Sequence, residues 1–342
     1  MWHGRSDLGI ANGYGFRAYA HSASQTRVNA LLGVPRNDAS AAMPNPMIPR
    51  ERTDYSAIVD RPALSLPGGA RIVFWTIVNL EVWDIGKPMA RQVLPAPTGV
   101  PLLPDVPNWS WHEYGMRVGV WRFFDLFKHL NIKPTLSINA RVCEDYVRVA
   151  EEAKRQGWEF MGHSYEQGPI HKEPDQAAMI ARSMGILEKF TGKRPVGWLG
   201  PGLTQTYETP ELLAAAGVKY IGDWVYDDEP TTIRTDKGPL VTLPYSVELN
   251  DIPMMIVQHH ESDYLLKRTI DQFDRLYAEG AQRAKICSLA IHPYISGQPH
   301  RIKYLEAIYD HVNKHDGVLH WNGEQILDWY QTQSGAAQKA AE

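Results

Sequence analysis

Arg71-Ile72-Val73-Phe74-Trp75-Thr76-Ile77-Val78 runs directly into Asn79-Leu80-Glu81-Val82. The first part is β-branched, aromatic and nearly unbroken in its apolarity, as a strand buried on both faces of a parallel sheet must be. The second part carries no glycine-rich phosphate loop, which an open doubly wound sheet would place there. The reading is therefore a strand of a closed α/β barrel. The rest of the chain repeats the unit of short apolar run, polar loop and helical pattern.

Downstream strands are expected at 135–138, 158–161, 196–199, 219–221, 240–243, 286–291 and 318–320. Helical apolar spacing falls at 118–130, 144–156, 175–190, 209–216, 266–279, 302–313 and 323–330. Gly157 and Gly217 close two of these helices, as glycine does at a C-terminal cap. About seven such units with no break in composition favour one barrel over two domains. Pro88 to Tyr114, rich in Pro and Trp, interrupts the pattern and reads as a lid or binding loop.

The domain reading is a flexible extension at 1–46, a single barrel domain at 47–333 and a disordered tail at 334–342. The net charge of −4 and the lack of Lys/Arg-rich runs argue against nucleic acid. No apolar run approaches the ~20 residues that cross a bilayer. Residues 1–46 lack the apolar core of a secretory signal. Cys143 and Cys287 read as buried free thiols. The expected partners are a small-molecule substrate and further copies of the chain in a homo-oligomer, and the expected location is the cytoplasm.

In a barrel the loops after the C-terminal strand ends build the site. Those positions hold Asn79 and Glu81, then Asn139, then His163, Glu166 and Gln167, then Pro201, Asp223, Asn250-Asp251 and His292. A carboxylate directly after an apolar strand must face a mouth or be paired. For each residue a bland role competes: Glu81 as a solvated loop acid, His163 or His292 as a core histidine, Asn250-Asp251 as an Asx turn. His259-His260 reads as surface or packing, and Trp109 and Trp111 as loop packing or lid.

Taken in order, Asn79-Leu80-Glu81, Glu113-Tyr114-Gly115-Met116-Arg117-Val118-Gly119-Val120-Trp121-Arg122, Gly162-His163, Gly197-Trp198, Leu243-Pro244-Tyr245 with Asn250-Asp251, and Ile291-His292-Pro293 resemble the polysaccharide deacetylase (NodB-homology) superfamily. The closest resemblance is to its allantoinase-like and cyclic-imide-hydrolase-like branch. This implies a distorted TIM-like (β/α)-barrel and a hydrolase of C–N amide bonds. Metal-dependent members carry Asp-x-Asp and His-x-x-x-His; here those positions read Asn79, Glu81, His163 and Gln167, with Glu166 a further donor. A neutral amide is a poor zinc ligand. No cofactor is therefore expected, with zinc or another divalent metal on Glu81 and His163 as the alternative.

The mechanism read from these residues has Glu81 and His163 handling the attacking water and His292 protonating the leaving nitrogen. Backbone N–H groups around Gly200 to Gly202, or Arg117, would hold the oxyanion. Asn79, Glu166, Gln167, Trp198, Pro201, Asn250 and Asp251 complete the expected substrate-binding set. The substrate reading is a small cyclic amide, ureide or imide. The alternatives are a metal-dependent N-acetyl sugar or peptidoglycan deacetylase and a non-catalytic ligand-binding protein.

Overall fold

The computed structural model describes residues 46–341, with side chains as far as Gln333. The expected extension at 1–46 lies outside the described residues apart from its last one. The strands are β1 Ile72–Leu80, β2 Thr135–Ile138, β3 Glu159–Gly162, β4 Gly197–Trp198, β5 Tyr220–Ile221, β6 Thr231–Ile233, β7 Leu240–Thr242, β8 Lys285–Ile291 and β9 Val318–Leu319. The helices are α1 Pro49–Arg52, α2 Val106–Tyr114, α3 Val120–Leu130, α4 Val142–Asp145, α5 Val147–Arg155, α6 Gln176–Thr191, α7 Thr209–Ala215, α8 Tyr264–Glu279, α9 Ile302–Val312 and α10 Gly323–Ala341.

The sheet runs β6-β7-β5-β4-β3-β2-β1-β8, with β9 against the start of β1. Every pairing is parallel except β6 with β7. A parallel bridge from Asn250 to Ala290 joins the chain beyond β7 to β8, curling the sheet into the expected distorted barrel. Every residue of β1 is buried, as its unbroken apolar run requires. The helices cover the sheet with amphipathic faces; α3 buries Val120, Phe123, Phe124 and Phe127.

A polar cluster locks the closed end of the barrel. Thr135 Oγ1 and the Gly323 N–H donate to Glu159 Oε2, each at 2.7 Å, and Trp75 Nε1 donates to Thr135 Oγ1. Burial pushes the Glu159 carboxyl up to about 7, against the pull of its donors.

Three elements differ from the sequence reading. The segment 88–114 contains helix α2, started by Pro107 and capped by Asp105, whose side chain accepts from the Asn108 N–H. β6 is an additional edge strand. α10 runs through the stretch expected as a disordered tail. Both cysteines are free and buried. No helix among the described residues is long and apolar enough to cross a membrane.

Candidate active site

Glu81 follows β1, His163 follows β3 and His292 follows β8, so three strand ends bring them to one rim. Ser164 takes a left-handed φ of 66°, turning the chain so that the Gln167 N–H reaches the Val82 carbonyl at 2.9 Å. All three side chains line one cavity of about 1130 Å³. His163 Nε2 lies 3.8 Å, and His292 Nε2 3.5 Å, from Glu81 Oε1.

His292 is oriented by Asp251. Its Nδ1–H donates to Asp251 Oδ1 at 2.6 Å, and its backbone N–H and the Ser296 hydroxyl donate to Oδ2 at 2.8 and 2.6 Å. Burial alone would lower the imidazole pKa, but the Asp251 and Glu81 carboxylates outweigh it and raise the value to about 9. His292 thus carries its proton at neutral pH, with Nε2–H toward the cavity.

His163 is its complement. Its Nδ1–H donates to the Leu199 carbonyl at 2.6 Å, which leaves Nε2 as an acceptor. That buried Nε2 has no hydrogen-bond partner. Burial would raise the Glu81 pKa, yet the charge of the neighbouring His292 imidazolium holds the carboxylate far below its ordinary range.

A chain of donors fixes Glu81 further. The Val82 N–H can only donate, so Asn139 presents Oδ1 to it at 2.8 Å. Asn139 Nδ2 then faces the His163 carbonyl and Gln167 Oε1. Gln167 Nε2 therefore points at Glu81 Oε1, 2.9 Å away. Trp83 Nε1 and the Tyr294 hydroxyl both donate to Glu81 Oε2 at 3.2 Å.

These residues do not fit a zinc ion. At position 167 an N–H donor, not a lone pair, faces the carboxylate that would have to ligate. Glu166 is engaged by Lys87 at 2.7 Å and Arg141 at 2.9 Å. Among the described residues, the group of His, Cys, Asp or Glu whose ligand atoms all lie within 4.8 Å is Asp274, His311 and His315, none of which lines this cavity.

Asn79, Glu166, Gln167, Pro201 and Asn250 line the cavity. Asn250 donates Nδ2–H to the Tyr245 hydroxyl at 2.8 Å, and its Oδ1 accepts from the Ile252 N–H, so it does form an Asx turn. Asp251, expected among the binding residues, lies instead behind His292, fully buried and outside the cavity lining. Two further expected binding residues are also away from the cavity. Trp198 is fully buried in a core cluster with Met184 and Ile221 and does not line the cavity. Arg117 is exposed on a π-helical turn, Gly115–Gly119, and does not line it either.

The expected oxyanion donor at Gly200 is also spoken for, because its N–H donates to Asp223 Oδ1 at 2.6 Å. Trp83, Tyr245 and Tyr294 were missed by the sequence reading. Trp83 stands two positions beyond Glu81, and Tyr294 two beyond His292 in the tight turn where the Ile295 N–H reaches the His292 carbonyl at 3.0 Å. The π-turn owes its glycines to the His292 loop. A Cβ on Gly119 would lie 2.1 Å from the Pro293 carbonyl oxygen, and one on Gly115 2.8 Å from the Tyr294 nitrogen.

Residues 111–221 match the family model described as polysaccharide deacetylase. A peptidoglycan deacetylase of Helicobacter pylori is 27% identical over 245 residues, 62% of this chain and 83% of that protein. The solved Puue allantoinase superposes with a TM-score of 0.72 at 26% identity, covering 80% of this chain and 94% of its own. A probable polysaccharide deacetylase from Pseudomonas aeruginosa PAO1 gives 0.71 at 28%, covering 80% and 95%.

Proposed function

The chain belongs to the polysaccharide deacetylase superfamily, and from that premise we propose that it hydrolyses a C–N amide bond in a small cyclic amide, ureide or imide without a metal. The observation that carries this reading is the unpartnered Nε2 of His163 facing the ionised Glu81 across 3.8 Å, with protonated His292 beside it. A water about 2.8 Å from each acceptor donates one O–H to each.

His163 Nε2 takes one proton as the water oxygen bonds to the carbonyl carbon. Glu81 keeps the other O–H in line, since its low basicity suits it to orientation. The C–N bond then breaks, and its electron pair leaves on nitrogen as His292 Nε2–H protonates that atom. The ring opens to a free amide or ureide nitrogen and a carboxylic acid, which releases its remaining proton to solvent as the carboxylate; His163 then gives its proton to solvent and His292 regains one. Tyr245 lines the cavity and accepts from Asn250, so its own O–H remains to donate to the tetrahedral oxyanion. Asn79, 2% exposed at the rim, faces the ring's polar edge.

The likeness to the allantoinase, covering 94% of that chain, supports a cyclic substrate. A second reading is metal-assisted release of acetate from an acetylated amino sugar. The Helicobacter pylori relative and the size of the cavity favour it. The two free cysteines support a reducing compartment such as the cytoplasm. Tyr55 and Val59, 96% and 81% exposed, offer apolar surface for self-association, which size-exclusion chromatography tests. To separate the two substrate readings, the protein is incubated with hydantoin, allantoin and succinimide rings and with N-acetylated amino sugars, with and without chelator. Ring opening indifferent to chelator is the expected result; acetate release that stops on chelation replaces it with the second reading.

A further inference from the structure

We propose that Asp274, His311 and His315 form a zinc site remote from the cavity, clamping α8 to the end of α9. Each residue offers one ligand atom, and these atoms lie within 4.8 Å of one another. His311 and His315 are four residues apart, so the end of α9 and the turn after it present both imidazoles to one side. Asp274 reaches them from α8, with Oδ1 2.7 Å from His311 Nε2 and 4.0 Å from His315 Nε2.

His315 Nδ1–H donates to the His311 carbonyl at 3.0 Å, which fixes the tautomer and leaves Nε2 as a lone-pair donor. The rings are held by aromatic packing: His315 against Phe273 at 5.1 Å and Tyr277 at 4.9 Å, and His311 against Phe273 at 5.9 Å. The three side chains are 26%, 27% and 49% exposed for His311, His315 and Asp274, so an ion reaches them from solvent and a water can take the fourth position. Two imidazoles and a carboxylate form a donor set that zinc takes in tetrahedral geometry. The carbonyls at the end of α9 add a favourable field for a cation.

The clamp joins the helix that leads into β8, the strand preceding His292, to the helix that leads into β9. Zinc here acts on stability rather than on turnover. Untagged protein is stripped with chelator and titrated with Zn²⁺ against a chromophoric chelator. His163→Ala is run in parallel so that the cavity cannot contribute. Wild type and His163→Ala each bind zinc at micromolar affinity or tighter, and zinc raises the wild-type melting temperature. Asp274→Asn, and the double variant His311→Ala/His315→Ala, bind at least about tenfold more weakly, lose the thermal shift and keep their turnover. Equal binding by Asp274→Asn or by a folded double variant overturns the proposal, as does absence of binding to wild type. Asp274→Asn alone decides the matter if the double variant fails to fold.

Discussion

Gln167 donates its amide N–H to Glu81 at 2.9 Å, from the position that the resemblance aligns with the second histidine of a His-x-x-x-His motif. The contact turns a ligand position into a support for an ionised carboxylate. Gln167→Leu removes the donor and leaves the Asn139 amide half-paired. Turnover is expected to fall roughly tenfold, the scale of one lost hydrogen bond to a charged group. Steady-state kinetics before and after dialysis against chelator check this. Wild-type turnover is unchanged by the dialysis, and a loss restored by added zinc would reject the metal-free account.

The His292–Asp251 pair sets the alkaline limit. With its pKa raised to about 9, His292 holds the leaving-group proton below that pH and loses it above, so kcat/KM falls as pH passes about 9. Asp251→Asn removes the carboxylate charge that favours the imidazolium. The descending limb moves to lower pH and the maximum rate drops. A limb left in place by Asp251→Asn would show that another group titrates.

Gly119 is needed for space. A methyl group there lies 2.1 Å from the Pro293 carbonyl oxygen, a backbone atom that cannot swing aside. Gly119→Ala should cost about 1–3 kcal/mol by overpacking and displace the turn that carries His292, lowering kcat with it. Denaturant melts and kinetics on one preparation test both parts.

Asp223 is buried with one unpartnered oxygen, and burial raises its carboxyl from 3.8 to about 7 despite the Gly200 N–H. Between those values the unfolded chain ionises while the native protein stays protonated. Wild type therefore loses stability as pH rises, with the full penalty above about 7. Asp223→Asn keeps an acceptor for Gly200 and has no charge to bury. Its melting temperature should gain on wild type at pH 8 and not at pH 4; a pH-independent difference would contradict the assignment.

Much of this was legible in the sequence because barrel strands put their following residues at one rim. Glu81, His163 and His292 needed only the apolar runs before them. Trp198 failed for a physical reason: β4 is two residues long, too short for alternation to say which side is inward. Arg117 failed because the glycines of Gly115–Gly119 accommodate a π-turn against Pro293 and Tyr294, a contact between segments far apart in sequence that helical periodicity cannot register. The direction of the Gln167 amide depends on the Val82 N–H two segments away, so only the assembled network reveals it.

The most direct test compares metal-stripped wild type with His163→Ala on the cyclic substrate identified by the incubation above. If the bare Nε2 of that imidazole receives the water's proton, kcat falls at least about a hundredfold while KM changes little. A variant that opens the ring at close to the wild-type rate would contradict the account.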